Sequence, residues 1–248
     1  MNLKILLQTF LAIFIYIFAN TFVYSPVHAA DLLLEDFSTS DISSTKWIVL
    51  NETNQIIQNL GYLSISSIDA SRSAFLENIS AFDSSKGIDY EIKFRFTGYA
   101  FGSGIAINDS PVPLRQLNEH PGADQWTVFI WPAGKDTFKV FSVACPITGS
   151  CQTTDNVLFT VEGSQAFDWH ILKVRYEQQR YYIKLDSLPS IETLTTTRPP
   201  NYIWFGNPMI TNGTMFSSFN VDYVYVKNLV NTSTFPYLSQ KDTRWGNE

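Results

Sequence analysis

The chain has 248 residues, 45% hydrophobic and only 16% charged, so it can bury a sizeable core and falls outside the disordered class. A net charge of -6 and a pI near 5.1 leave no basic footprint for a phosphate backbone, which excludes nucleic acid as an expected partner.

In chain order, the first segment is Met1 to Ala30. It combines an early Lys4, an apolar run from Ile5 to Ala19 and a small-residue ending at Val27-His28-Ala29, the pattern of a signal peptide cut near residue 29. Uncharged residues continue to Tyr24, and about twenty of them suffice to cross a bilayer, so an uncleaved anchor is the alternative. Either way the expected location is extracytoplasmic, secreted or at the cell surface, with membrane contact only through an uncleaved leader.

From Asp31 onward the readable segments alternate with period two. Ile88, Tyr90, Ile92, Phe94 and Phe96 share one face while Asp89, Glu91, Lys93, Arg95 and Thr97 take the other, as a half-solvated antiparallel strand requires. Leu172, Val174 and Tyr176 against Lys173, Arg175 and Glu177 repeat the pattern. Further strands are expected at Ile56 to Gln58, Tyr62 to Ile68, Ala74 to Glu77, Phe101 to Ile107, Trp126 to Trp131, Phe138 to Val143, Val157 to Val161, Tyr181 to Leu185, Ile203 to Phe205 and Phe219 to Val226. Turn clusters at Asn59 to Gly61, Ser84 to Gly87 and Pro132 to Gly134 separate them. Gln178-Gln179 reads as a tight hairpin turn without the Gly or Asn such turns favour. Many short strands without a long helical period predict an all-β, two-sheet antiparallel sandwich over residues 31–230.

Cys145 and Cys151 flank Pro-Ile-Thr-Gly-Ser, and in an oxidising compartment this spacing predicts a local disulfide. The alternative, a two-cysteine metal site, has no other soft ligand nearby in sequence. Residues 231–248 read as a linker followed by the start of a second unit.

Three stretches, taken together, resemble the concanavalin A-like lectin and glucanase superfamily: Leu32 to Phe37 with Lys46-Trp47, Trp169 to Leu185, and Ile203 to Pro208 followed by Val221 to Val224. The likeness runs from about Leu32 to Leu229 and implies a jelly-roll sandwich. Some relatives hold a structural calcium, and the resemblance places its ligands at the carbonyls of Asp36 and Gly61 and the side chain of Asp222; such an ion accepts hard oxygen ligands of mixed type. The terminal stretch FPYLSQKDTRWGNE resembles the entry of papain-like cysteine peptidases of the bacteriocin-leader-processing type, where Gln240 would match the oxyanion-stabilising Gln. No Cys follows Cys151 and no His follows His170, so the thiolate and its base are absent from this sequence and no peptide hydrolysis is expected of it.

Hydrolytic members of the superfamily carry a Glu-x-Asp-x-x-Glu strand, because glycoside hydrolysis needs two carboxylates in one cleft. That strand is missing here. Asp89 and Glu91 come nearest, but Lys93 and Arg95 continue their face, which reads as a solvated charge ladder. His120 and His170 lack any nucleophile motif and read as surface or satisfied core histidines. Sugar recognition calls for aromatics beside amides or carboxylates, and the candidates are Tyr99, Trp126, Trp131 and Trp204 with Asn108 and Asp109. The competing assignment for each aromatic is the core. Sequons occur at Asn51, Asn78, Asn108, Asn212 and Asn231. The expected function is an exported, non-catalytic module binding a glycan or cell-surface polymer ahead of a peptidase domain, the alternatives being an atypical glycoside hydrolase or an adhesive surface domain.

Overall fold

The computed structural model describes residues 31–51, 56–59, 61–66, 74–98, 104–109, 111, 126–144, 157–192, 198–207 and 218–229. In chain order the strands are β1 (Asp31–Glu35), β2 (Trp47–Asn51), β3 (Ile56–Asn59), β4 (Tyr62–Ser66), β5 (Ala74–Asn78), β6 (Ile88–Gly98), β7 (Gly104–Asn108), β8 (Trp126–Gly134), β9 (Thr137–Ala144), β10 (Val157–Glu162), β11 (His170–Glu177), β12 (Arg180–Leu185), β13 (Ile191–Glu192), β14 (Tyr202–Asn207) and β15 (Ser218–Asn228). A single 3-10 turn, Gly163–Phe167, is the one helical element among the described residues. No helix among them is long and apolar enough to cross a membrane.

The strands form two antiparallel sheets. The first has eight strands in the order β13-β12-β11-β6-β15-β4-β3, with β1 added against β15; the second has seven, ordered β10-β9-β8-β7-β14-β5-β2. Period-two patterning explains the packing. On β6 the alternate residues Ile88, Tyr90, Ile92, Phe94 and Phe96 are all buried, and β11 and β12 supply Leu172, Val174, Ile183 and Leu185 to the same layer. From the facing sheet come Leu76, Ile105, Ile107, Val128, Ile130, Phe138 and Phe205. Phe138 joins the layers, its ring centroid lying 5.7 Å from Phe94 and 5.4 Å from Phe96.

Where the alternation slips, the backbone adjusts. Phe219 and Val221 point inward on β15, but so do Val224 and Val226, three residues out of phase; a register shift between Val221 and Tyr223 absorbs the difference and leaves both Asp222 and Tyr223 outside the core. Strand β8 runs on through Pro132 to Gly134, past the expected turn, with a register shift there; the tight turn falls at Lys135-Asp136 instead, where Asp136 takes φ 61. A bulge accommodates the missing proline N–H. The two-residue hairpin at Gln178-Gln179 forms as expected, with Glu177 opposite Arg180. Both glutamines adopt positive φ, 51 and 64, as a type I′ turn demands whatever the residue. Strands β1, β2 and β13 are not among the expected strands: β1 (DLLLE) and β2 (WIVLN) are too uniformly apolar to show alternation, and β13 has only two residues.

On the outer face of the eight-stranded sheet the charged residues pair across strands. The Arg175 guanidinium donates to both carboxylate oxygens of Asp89 (2.8 and 3.1 Å), with Lys227 3.7 Å away on the other side. Glu91 accepts from Lys173 (3.1 Å) and from the Tyr223 hydroxyl (2.7 Å). Both carboxylates are therefore neutralised members of a ladder, as the alternation implies, and neither resembles half of an acid–base pair.

Candidate functional site

The seven-stranded sheet buries one face in the core and turns the other outward. Leu76, Ile105, Ile107, Ile203 and Phe205 belong to the main core, so their strand neighbours Glu77, Ala106, Asn108 and Trp204 fall on the opposite face. Register brings them together: Trp204 stands between Glu77 on β5 and Ala106 on β7, and Asn108 lies one row along, opposite Tyr202. Trp204, Ala106 and the partly buried Leu50 form a small apolar cluster separate from the main core.

This row is covered. Trp204 is 1% exposed, Glu77 2% and Asn108 0%. The full burial of Trp204 belongs to the core assignment weighed for it and leaves no open ring face for stacking in this conformation. Asn108 is the unusual member: its side-chain oxygen and nitrogen are both buried with no hydrogen-bond partner among the described residues, while its backbone carbonyl accepts from the Asn201 N–H at 2.8 Å. An unpaired buried amide costs about 1–3 kcal/mol, so Asn108 is a local cost to stability beneath the outer face.

Asp109, next in sequence, is held differently. Its carboxylate takes the Arg198 guanidinium, and the Arg198 carbonyl in turn accepts the Tyr181 hydroxyl at 2.6 Å. Tyr90 donates to the Pro200 carbonyl at 2.8 Å. Burial raises the pKa of both phenols well above the ordinary value, which keeps them neutral donors. These bonds clamp residues 198–201 across the sandwich end beside Asn108, and Asp109 serves that clamp.

Of the other candidates, Trp126 and Trp131 lie on β8 in register with Ala144 and Lys139. Tyr99, Cys145, Cys151, His120 and Gln240 lie outside the described residues. Asn78, a sequon asparagine, is buried with its amide donating to the carbonyls of Ser80 and Asn201 and its oxygen accepting the Ile203 N–H. Neither Asn78 nor Asn108 is accessible to a glycosylating enzyme in this fold.

Of the expected calcium ligands, the carbonyls of Asp36 and Gly61 and the side chain of Asp222, only the Asp222 carboxylate is engaged by another group among the described residues. Asp36 accepts the Ser38 N–H at 3.0 Å, and hydrogen bonds from Ser38 hold its carboxyl below the usual range. The Gly61 N–H donates to the Phe37 carbonyl (3.1 Å), and Asp222 holds the Lys93 ammonium at 2.5 Å. Calcium takes six to eight oxygens, several of them charged, and the one charged oxygen donor of this set is already matched by a lysine. Among the described residues no group of three or more His, Cys, Asp or Glu is placed to hold a metal ion. Calcium at this position would have to displace Lys93 from the Asp222 carboxylate.

His170 proves a satisfied core histidine. Its Nδ1 meets Asp186 Oδ2 at 2.7 Å and its Nε2 meets the Gln165 carbonyl at 2.9 Å, while its ring packs 5.0 Å from Phe138. Asp186 also accepts the Ile171 N–H (2.7 Å), so the residue ties the 3-10 turn to the turn after β12. Burial lowers the imidazole pKa, but the Asp186 hydrogen bond and charge and the Gln165 carbonyl outweigh it, leaving the pKa above the ordinary 6.5. A folded-state pKa above the unfolded one stabilises the fold at acid pH, and that contribution is lost as pH rises through the folded value. The melting temperature of the protein relative to His170→Gln is therefore expected to be higher at pH 5 than at pH 8. A difference independent of pH would show that the imidazolium contributes nothing.

No family model matches the chain, and no curated protein sequence does. Solved structures do match. LamAcat from Zobellia galactanivorans superposes with a TM-score of 0.58 at 14% identity over 80% of this chain and 97% of its own, and LamA has also been solved with laminaritriose and laminaritetraose. The Emp47p carbohydrate recognition domain gives 0.56 at 17% identity, over 79% of this chain and 95% of its own. A pseudo β-1,3-glucanase of Mycobacterium tuberculosis gives 0.53 at 13% identity, over 81% and 99%. Identities this low speak to the fold alone, and with the two antiparallel sheets they make it an all-β jelly-roll sandwich.

Proposed function

We propose that this protein is an exported, non-catalytic carbohydrate-binding module that takes a neutral glucan chain on the outer face of its seven-stranded sheet. One observation carries the non-catalytic part. The strands of that sheet contain only two acidic residues, Glu77 on β5 and Glu162 on β10, and β5 stands five strand positions from β10. At about 4.8 Å per strand the two are roughly 24 Å apart, against the 5–9.5 Å that retaining or inverting hydrolysis needs. The neighbours support the ligand class: one carries laminari-oligosaccharides, one is a carbohydrate recognition domain, and one is a pseudo-glucanase.

In this reading the leader before Asp31 directs export, and the segment bearing Gln240 begins a peptidase domain that the sandwich localises on a glycan surface. Titration of the purified chain with laminari-oligosaccharides is expected to show binding without release of reducing ends. Asn108→Leu, which removes the unpaired amide at similar volume, is expected to keep or raise the melting temperature while leaving glucan binding unchanged, because the side chain is fully buried. Product release would overturn the non-catalytic reading. Failure to bind any neutral glucan would overturn the ligand class and favour an adhesive surface domain.

A further inference from the structure

The opposite face of the sandwich carries a second feature that the ladder of ion pairs does not absorb. Along the outside of β6, Asp89, Glu91 and Lys93 are each matched by an opposite charge, in the pairs with Arg175, Lys173 and Asp222. Arg95, the next residue on that face, is left out of these pairs. Its guanidinium carbon sits 4.6 Å above the Trp169 ring, and its Nε is buried with no hydrogen-bond partner among the described residues. Lys93 Nζ lies 5.3 Å from the same ring but is matched by Asp222, so Arg95 is the cation at this indole outside the ion pairs.

The surroundings are polar and suited to hydroxyls. Arg95 is in register with Asn220 on β15, which is in register with Ser64 on β4. One row further, Thr97 and Ser218 share a 2.8 Å hydroxyl hydrogen bond. Cations also outnumber carboxylates along the outside of β6, β11, β12 and β15, although the chain as a whole carries -6. Stacking on an indole uses the face of a guanidinium and leaves in-plane N–H donors for two oxygens of a carboxylate or sulfate. The half-buried ring of Trp169 borders the guanidinium, Asn220 stands opposite Arg95 in register with 6% exposure, and a sugar ring needs an apolar edge of the kind Trp169 offers.

We propose that Arg95, seated on Trp169 and flanked by Asn220, binds the acidic group of an anionic polysaccharide, a uronate carboxylate or a sulfate ester, on the face of the sandwich opposite the neutral-glucan face. The two sites are independent, so the module can bridge two polymers. The inference does not rest on the neutral-glucan reading.

The test titrates the purified full chain with three probes: an oligogalacturonate, a sulfated galactan oligosaccharide and a neutral laminari-oligosaccharide. At least one acidic probe is expected to bind more weakly as salt rises, with the neutral probe unaffected. Arg95→Gln is expected to weaken the acidic probe tenfold or more while leaving the neutral probe unchanged; which acidic probe responds identifies the anion. Arg95→Lys keeps the charge without the fork and is expected to recover only part of the affinity, and it decides the matter alone should Arg95→Gln not fold. Unchanged acidic binding in either variant, or no binding of either acidic probe by the parent chain, overturns the site. Equal competition by a polyglutamate peptide through Arg95 also overturns it, in favour of an acidic protein partner. Loss of the neutral probe in the parent chain, with acidic binding intact, would count against the other face only.

Discussion

Phe94→Ala is expected to lower the unfolding free energy by about 3–5 kcal/mol, the range for deleting a buried aromatic ring. Phe94 is fully buried, and its ring lies 6.0 Å from Phe96, 5.7 Å from Phe138 and 5.8 Å from His170. These contacts join β6 of one sheet to β9 of the other, so the cavity would open at the seam between layers, where backbone strands on both sides resist collapse. Denaturant melts at pH 7 check the value. A loss below about 1 kcal/mol would mean that the two sheets are not packed as described. Phe94→Leu, which refills most of the volume, is expected to lose much less.

Removing the carboxylate of Asp89 is the second large effect. Asp89→Ala leaves the Arg175 guanidinium and the Lys227 ammonium facing each other across a site where Asp89 itself is only 5% exposed. Deleting one partner of a buried pair typically costs 3–5 kcal/mol because the remaining charge is desolvated without compensation. Here the loss is expected near about 3 kcal/mol, since both cations keep some solvent contact. Arg175→Leu in the Asp89→Ala background is expected to restore part of the stability, which a purely steric role for Asp89 would not allow. The prediction also separates the two readings of the Asp89–Glu91 face: a ladder residue loses stability when removed, whereas a catalytic acid loses activity and often leaves stability unharmed.

Much of the fold was legible because one physical rule governs it. A strand with one buried face must alternate, and β6, β11 and β12 alternate cleanly, so their inward and outward residues followed from sequence order alone. The turn at Ser84 to Gly87 was readable for a similar reason: its Gly87 takes φ +82, and an added Cβ would meet Tyr176 and Leu229. The weak hairpin signal at Gln178-Gln179 misleads only about residue preference, because the twist of β11 and β12 imposes the turn type.

The site was far less legible. Trp204 was named for its residue type, and residue type cannot reveal that a position on the outward face of a sheet is covered. Asn108 was chosen as a polar neighbour of aromatics, yet what distinguishes it is that nothing pairs with its amide, a property of the surrounding volume. Arg95 was read as one more charge on a solvated face. Its separation from the ion pairs beside it depends on where β11 and β15 place Asp222, Lys173 and Trp169, residues 74 or more positions away along the chain.

Amino-acid order alone determined that this protein is all-β, that its strands alternate and that residues 31–230 carry no Glu-x-Asp-x-x-Glu strand, since each of these depends on local spacing or on which residues are present. Only the tertiary structure decided which carboxylates are neutralised, which indole is covered and which cation on the outer face of β6 stands outside the ion pairs among the described residues. Charge pairing and burial arise when strands far apart in sequence are laid side by side at about 4.8 Å, and no local pattern encodes that adjacency.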